Sequence, residues 1–187
     1  MTAQSRKSDR DHIPMNHKES YAHFYSKDII QAWLARAWLA ARDRRDDRAK
    51  FYIFDWGLNC QDKNKGIMLE YPILEKQLAN GATEIMGVEH AWKVCPDLDQ
   101  LPADTKVRAV IDLAIIDNGR LRYGLEVVHT HACSQSKRKF LNALKPKPKP
   151  PLGPKPPLGP DFYEISAEWV MNRLVDRSPG PLPLIPI

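Results

Sequence analysis

With 187 residues, 43% of them hydrophobic and 27% charged, the chain is long enough for one core of about 100–150 residues plus tails and short for two. A net charge of +5, from 28 basic against 23 acidic side chains, leaves an anionic partner open without demanding one. The three widely spaced cysteines, Cys60, Cys95 and Cys133, include no Cys-x-x-Cys pair, which argues against a disulfide scaffold and a thiolate zinc site. No secretory signal or bilayer-spanning stretch is legible, so the sequence reads as intracellular, cytoplasmic or nuclear, with no membrane partner.

Residues 1–18 are polar, contain Pro14 and lack apolar periodicity, and are read as a flexible arm. From 20 to 45 the apolar positions Phe24, Ile30, Trp33, Leu34, Ala37, Trp38 and Ala41 recur at steps of three and four with no Gly or Pro, which predicts a long helix. Residues 51–56 and 67–71 read as a hairpin, 72–80 as a short helix closed by Gly81, and 83–94 as β-prone. The runs 107–116 and 121–129, joined by Asp117-Asn118-Gly119-Arg120, predict a β-hairpin, because Asn-Gly favours a tight turn. A basic helix is expected over 134–144, a strand over 161–166 and a last helix over 167–175.

Between these last elements, Lys-Pro-Pro-Leu-Gly-Pro occurs twice without change, at 149–154 and 155–160. Proline at this density fixes φ and removes backbone donors, so 145–160 is an extended insertion ahead of the last strand, either a surface loop or a docking arm for a protein partner or nucleic acid. The basicity is local: residues 127–160 hold seven basic side chains and no acid. A Pro-rich tail, 178–187, follows a single domain spanning 19–177.

Asp112 lies between Ile111 and Leu113, and Glu126 between Leu125 and Val127, on the two hairpin strands. Burying lone carboxylates costs several kcal/mol, so the pair implies a compensating cation or a wet cleft. A two-residue Asn118-Gly119 loop puts Asp112 opposite Leu125 and turns Glu126 to the other face. A three-residue loop puts Asp112 opposite Gly124, with Asp112, Glu126 and Val128 sharing a face, and leaves space beside the carboxylate. On the first helix, Glu19, His23 and Lys27 stand four apart along one side.

Glu19-Ser20-Tyr21-Ala22-His23 with Lys27, followed by Ile111-Asp112-Leu113, a short turn and Leu125-Glu126-Val127-Val128-His129-Thr130-His131, resembles the motifs of competence-protein CoiA-like nucleases. These belong to the PD-(D/E)xK, restriction-endonuclease-like superfamily. The resemblance implies an α/β fold with an α-β-β-β-α-β core, a mixed sheet flanked by helices and the Pro-rich insertion before its last strand. It implies a metal-dependent nuclease hydrolysing phosphodiesters of DNA or RNA. Asp112, Glu126 and Glu19 would hold Mg²⁺ or Mn²⁺, with His23 and Lys27 completing the catalytic set. The basic strip Lys137, Arg138, Lys139, Lys145, Lys147 and Lys149 would contact phosphates.

Two departures stand beside the match. Where the motif has Lys two residues after the glutamate, this chain has Val128, so a positive group must come from Lys137, Lys139 or Lys27, with His129 or His131 as hydrogen-bond donors. Failing that, the protein is a catalytically inactive nuclease-fold module for binding nucleic acid or another protein. Where relatives carry a cysteine-paired zinc knuckle, this chain has Cys60 alone, so no structural zinc is expected. Glu84 and Glu89 are further candidate ligands.

Overall fold

The computed structural model describes residues 20–43, 48–49, 58–59, 66–89, 101–145, 159–176 and 182–187. The N-terminal arm, the expected strand at 51–56 and all but the end of the repeat lie outside them, as do Glu19, Lys147, Lys149, Cys60 and Cys95.

Helix α1 (Tyr21–Asp43) starts at Ser20, whose Oγ accepts the His23 N–H at 3.2 Å, an N-cap that satisfies one orphan donor. Its apolar stripe of Ile30, Trp33, Leu34 and Ala37 is buried, in agreement with the periodicity. Two short strands, β1 (Arg48–Ala49) and β2 (Leu58–Asn59), pair with each other. The main sheet is built from β3 (Gly66–Gln77), β4 (Thr83–Met86), β5 (Thr105–Asp117), β6 (Arg120–Val128), β7 (Asp161–Ser166) and β8 (Ile185–Pro186). Helix α2 (Gln135–Leu144), capped by Ser134, links β6 to β7, and α3 (Ala167–Met171) follows β7.

The order across the sheet is β4-β3-β5-β6-β7-β8, antiparallel throughout except for the parallel pair β6 and β7. Helices α1 and α3 pack on one face with Leu113, Ile115, Leu125, Val127 and Ile165. Helix α2 covers the other face through Leu141, Phe140 and Leu144, over Tyr71, Ile111, Ala114 and Phe162. The fold is therefore α/β with a six-stranded mixed sheet flanked by helices. No described helix is long and apolar enough to cross a membrane.

Two expectations are corrected, and the tail gains an element. Residues 72–80 are not helical: β3 runs through Pro72 to Gln77, and Gly81 sits in the β3–β4 turn, donating to Leu78 O at 2.9 Å. Strand β4 reaches only Leu74 to Gln77, so β3 is an edge strand at Pro72, where proline is tolerated. The last helix is five residues long, not nine. The tail carries β8, and Ile187 is tied in by its N–H to Phe162 O at 2.9 Å and by Lys145 Nζ to its carbonyl oxygen at 2.7 Å.

The side-chain alternation of two central strands reverses at one level. On β5, Leu113 and Ile115 face α1 while Ala114 and Ile116 face α2, yet Ile111 joins the α2 side. On β3, Ile67 and Leu69 face α1, whereas Tyr71 and Ile73 join the α2 side. The reversals fall at Asp112 and Glu70, which the register of Leu69 with Leu113 and Tyr71 with Ile111 sets opposite each other. Glu70 supplies the break, with a left-handed φ of 49° that non-glycine residues seldom adopt.

Candidate functional site

The hairpin starts in the register expected for a two-residue loop and then leaves it, without adopting the one expected for three residues. Asp117 pairs with Arg120 across a two-residue turn, with Asn118 and Gly119 at φ 53° and 69° as a type I′ turn requires. A bulge then adds one residue: Ile116 pairs with Leu121 but Ile115 with Tyr123. The shift sets Ala114 opposite Gly124 and Leu113 opposite Leu125, and the next level brings Asp112 and Glu126 face to face. Asp112 and Glu126 thus come together through a bulge and not through an odd loop, and neither Leu125 nor Gly124 stands opposite Asp112. The space expected at Gly124 is taken by packing, because a Cβ there would meet Phe162 Cδ1 at 2.5 Å.

Extended across the sheet, this level holds four acids, Glu70 on β3, Asp112 on β5, Glu126 on β6 and Glu164 on β7, the last two directly paired in register. Their side chains are 54%, 12%, 8% and 6% exposed, so the row opens to solvent at Glu70 and closes toward β7. Each has a cation. From α1, His23 Nε2 lies 3.0 Å from Asp112 Oδ2, and Lys27, one turn later, pairs with Glu70. From α2, Lys137 Nζ lies 2.5 Å from Glu126 Oε2 and also donates to Val110 O at 2.5 Å, while Arg138 pairs with Glu164. Helix α1 is held in place from behind by Trp33 Nε1 donating to Asp176 O at 2.8 Å and Ser26 Oγ donating to Ala167 O at 3.3 Å.

Asp112 sits where β5 and β6 part. Its Oδ2 accepts the Val127 N–H at 2.7 Å. Burial pushes its pKa up, but the His23 hydrogen bond and charge, the Val127 amide and the Lys137 ammonium outweigh this and hold it below the usual carboxylate value. Glu126 goes the other way: burial first, then the charges of Asp112 and Glu70, push it up to about 7 against the pull of Lys137. Its Oε1 is buried with no hydrogen-bond partner among the described residues. At neutral pH the pair therefore carries an ionised Asp112 beside a Glu126 that readily takes a proton.

Of the expected site residues, the structure brings together His23, Lys27, Asp112, Glu126 and Lys137. Arg138 and Lys145 are engaged inside the molecule, Lys139 is exposed, and His129 and His131 lie exposed on the loop after β6. Glu84 and Glu89 sit on or beside β4, Glu89 pairing with Arg120 at 3.2 Å. Sequence reasoning missed Glu70 and Glu164, although both show the pattern that singled out Asp112 and Glu126, an acid bracketed by apolar neighbours in a strand: Leu69-Glu70-Tyr71 and Tyr163-Glu164-Ile165.

The donor set suits a hard divalent cation in one respect and not in another. Mg²⁺ commonly uses one or two carboxylates and fills its remaining positions with water or substrate phosphate, which Asp112 and the orphaned Glu126 Oε1 can serve. Among the described residues, no three His, Cys, Asp or Glu side chains gather closely enough to hold an ion by themselves. No family model matches the chain, and no curated protein and no solved structure matches it either.

Proposed function

We propose that the protein is a metal-dependent nuclease of the PD-(D/E)xK type, with the motif lysine moved from the strand to the following helix. The observation that carries this reading is Lys137 Nζ at 2.5 Å from Glu126, opposite Asp112, where the strand itself offers Val128. The order α1, β3, β5, β6, α2, β7 supports it, since it runs α-β-β-β-α-β with β4 as an added edge.

Asp112 and Glu126 would hold Mg²⁺ or Mn²⁺, which when bound acidifies a water and polarises a phosphate oxygen. The chain's own residues do the rest. His23 and the Val127 amide hold Asp112 ionised and fix its direction. Lys137, anchored on Val110 O, brings a positive charge to the place where negative charge develops on a phosphate. Glu126, paired with Lys137 through Oε2, keeps Oε1 available for the metal. Lys27 restrains Glu70 at the open end of the row.

A second reading, an inactive module that keeps the fold for binding, is favoured by the pairing of each acid with a basic side chain and by the lack of a three-ligand cluster among the described residues. Incubating supercoiled and linear DNA, and RNA, with the protein in Mg²⁺ or Mn²⁺ separates the two. The nuclease reading expects cleavage by the parent and none by Asp112→Ala. Cleavage that survives the substitution, or an inert parent in both metals, removes it.

A further inference from the structure

Strand β6 pairs with β5 only over residues 113–117, so the 105–111 half of β5 has no strand on that side among the described residues. Helix α2 lies along it instead, with Lys137 on Val110 O and Phe140 and Leu141 in the cluster that holds Ile111. In this half the register with β3 slips, from Ile73 opposite Ala109 to Leu74 opposite Val107, which makes Arg108 the extra residue of a bulge. Bulges re-aim a side chain, and this one turns Arg108 onto α2, with its guanidinium carbon 5.1 Å from the centre of the Phe140 ring.

Arg108 remains half-exposed, at 50%, and its contact with Glu75 is a long one, 3.5 Å through Nε. Lys106 and Lys139 are exposed on the same two elements, on β5 and α2. Four residues of strand separate Arg108 from Asp112, about 13 Å. A planar guanidinium stacked on a ring loses little freedom on binding and offers a fork that matches a phosphate's oxygens.

We infer that Arg108 is a phosphate-contacting subsite for the nucleic-acid strand whose scissile bond reaches the acid row, a role that rests on the nuclease reading above. It positions substrate without reading base sequence, because backbone contacts carry register and not identity. It also replaces part of the expected basic strip, since Arg138 and Lys145 are spent on Glu164 and Ile187.

The test is fluorescence anisotropy of labelled 20-nucleotide single strands and duplexes in EDTA, over a range of salt, with the full-length parent, Arg108→Gln, Arg108→Lys and Arg120→Gln. Arg120 is the control, because it is 47% exposed, pairs with one glutamate and starts β6 opposite Asp117, at the far end of β5 from Arg108. Arg108→Gln should weaken binding roughly five-fold at 0.1 M salt and reduce the slope of log K against log salt by about 0.9 for duplex or 0.7 for single strand. Arg108→Lys should recover the slope but only part of the affinity, and Arg120→Gln should match the parent. An unchanged slope in Arg108→Gln, or an equal loss in Arg120→Gln, overturns the subsite while leaving the nuclease reading in place. A parent that binds neither oligonucleotide overturns the subsite as well, while the cleavage assay in Mg²⁺ or Mn²⁺ decides the nuclease reading separately.

Discussion

Glu126 and Glu164 are neighbours in register on parallel strands, buried to nearly the same extent, and each receives a cation from the first turn of α2. They differ in the second oxygen. Glu164 gives Oε1 to the Cys133 N–H at 2.7 Å and Oε2 to Arg138, whose Nε in turn donates to Cys133 O at 3.1 Å, so its carboxylate stitches the loop after β6 to α2. Glu126 has Lys137 on Oε2 and nothing described on Oε1. A buried carboxylate with both oxygens satisfied is a structural tie. One with an orphaned oxygen has binding capacity held in reserve at a cost in stability.

The contrast breaks most readily at Glu164. Glu164→Ala leaves Arg138 and the Cys133 amide without their acceptor, and should lower unfolding free energy by about 3 kcal/mol in urea titrations. If Glu164→Ala unfolds no more easily than Glu126→Ala, the two acids are equivalent and the distinction fails.

A pH series sharpens it further. Because the Glu126 pKa rises from 4.5 to about 7 on folding, the unfolded chain ionises first, and metal-free stability should fall as pH climbs from about 4.5 to about 7, then level off. Glu126→Gln should remove that decline and be the more stable protein at pH 8, by at most about 3 kcal/mol. A parent and a Glu126→Gln variant with parallel pH profiles would show that Glu126 is not strained by its surroundings.

The third contrast concerns the two cations. Lys137→Met should cost nucleic-acid hydrolysis on the order of 10²-fold, with a smaller effect on melting than Glu164→Ala. Val128 lies two residues after Glu126 and on the same side of β6, so Val128→Lys added to Lys137→Met should restore part of the rate. Failure of the second lysine to rescue, in a folded double variant, would argue that α2 supplies something besides charge.

The long helix, the Asn-Gly hairpin, the basic helix after β6 and the strand at 161–166 were legible because each rests on local signals: periodicity, turn chemistry and composition. What escaped depends on pairing. The stretch after Pro72 looks helical in isolation, and only β5 beside it makes it a strand. The bulge at Arg122 that aligns Asp112 with Glu126 has no signature in the hairpin's turn residues. Lys137 was one of three lysines able to replace the missing one, and selecting it required the angle at which α2 leaves β6. Glu70 and Glu164 are within reach of the sequence, because the apolar-acid-apolar pattern of the hairpin strands recurs on β3 and β7.

The left-handed backbone at Glu70 has a consequence for how the chain responds to selection. Glycine at that position would relax the main chain by on the order of 1 kcal/mol, and the carboxylate that faces Lys27 would be gone. A variant library screened for heat survival and the same library screened for the protein's working role should therefore pull position 70 toward different residues, marking it as a place where durability is traded for chemistry.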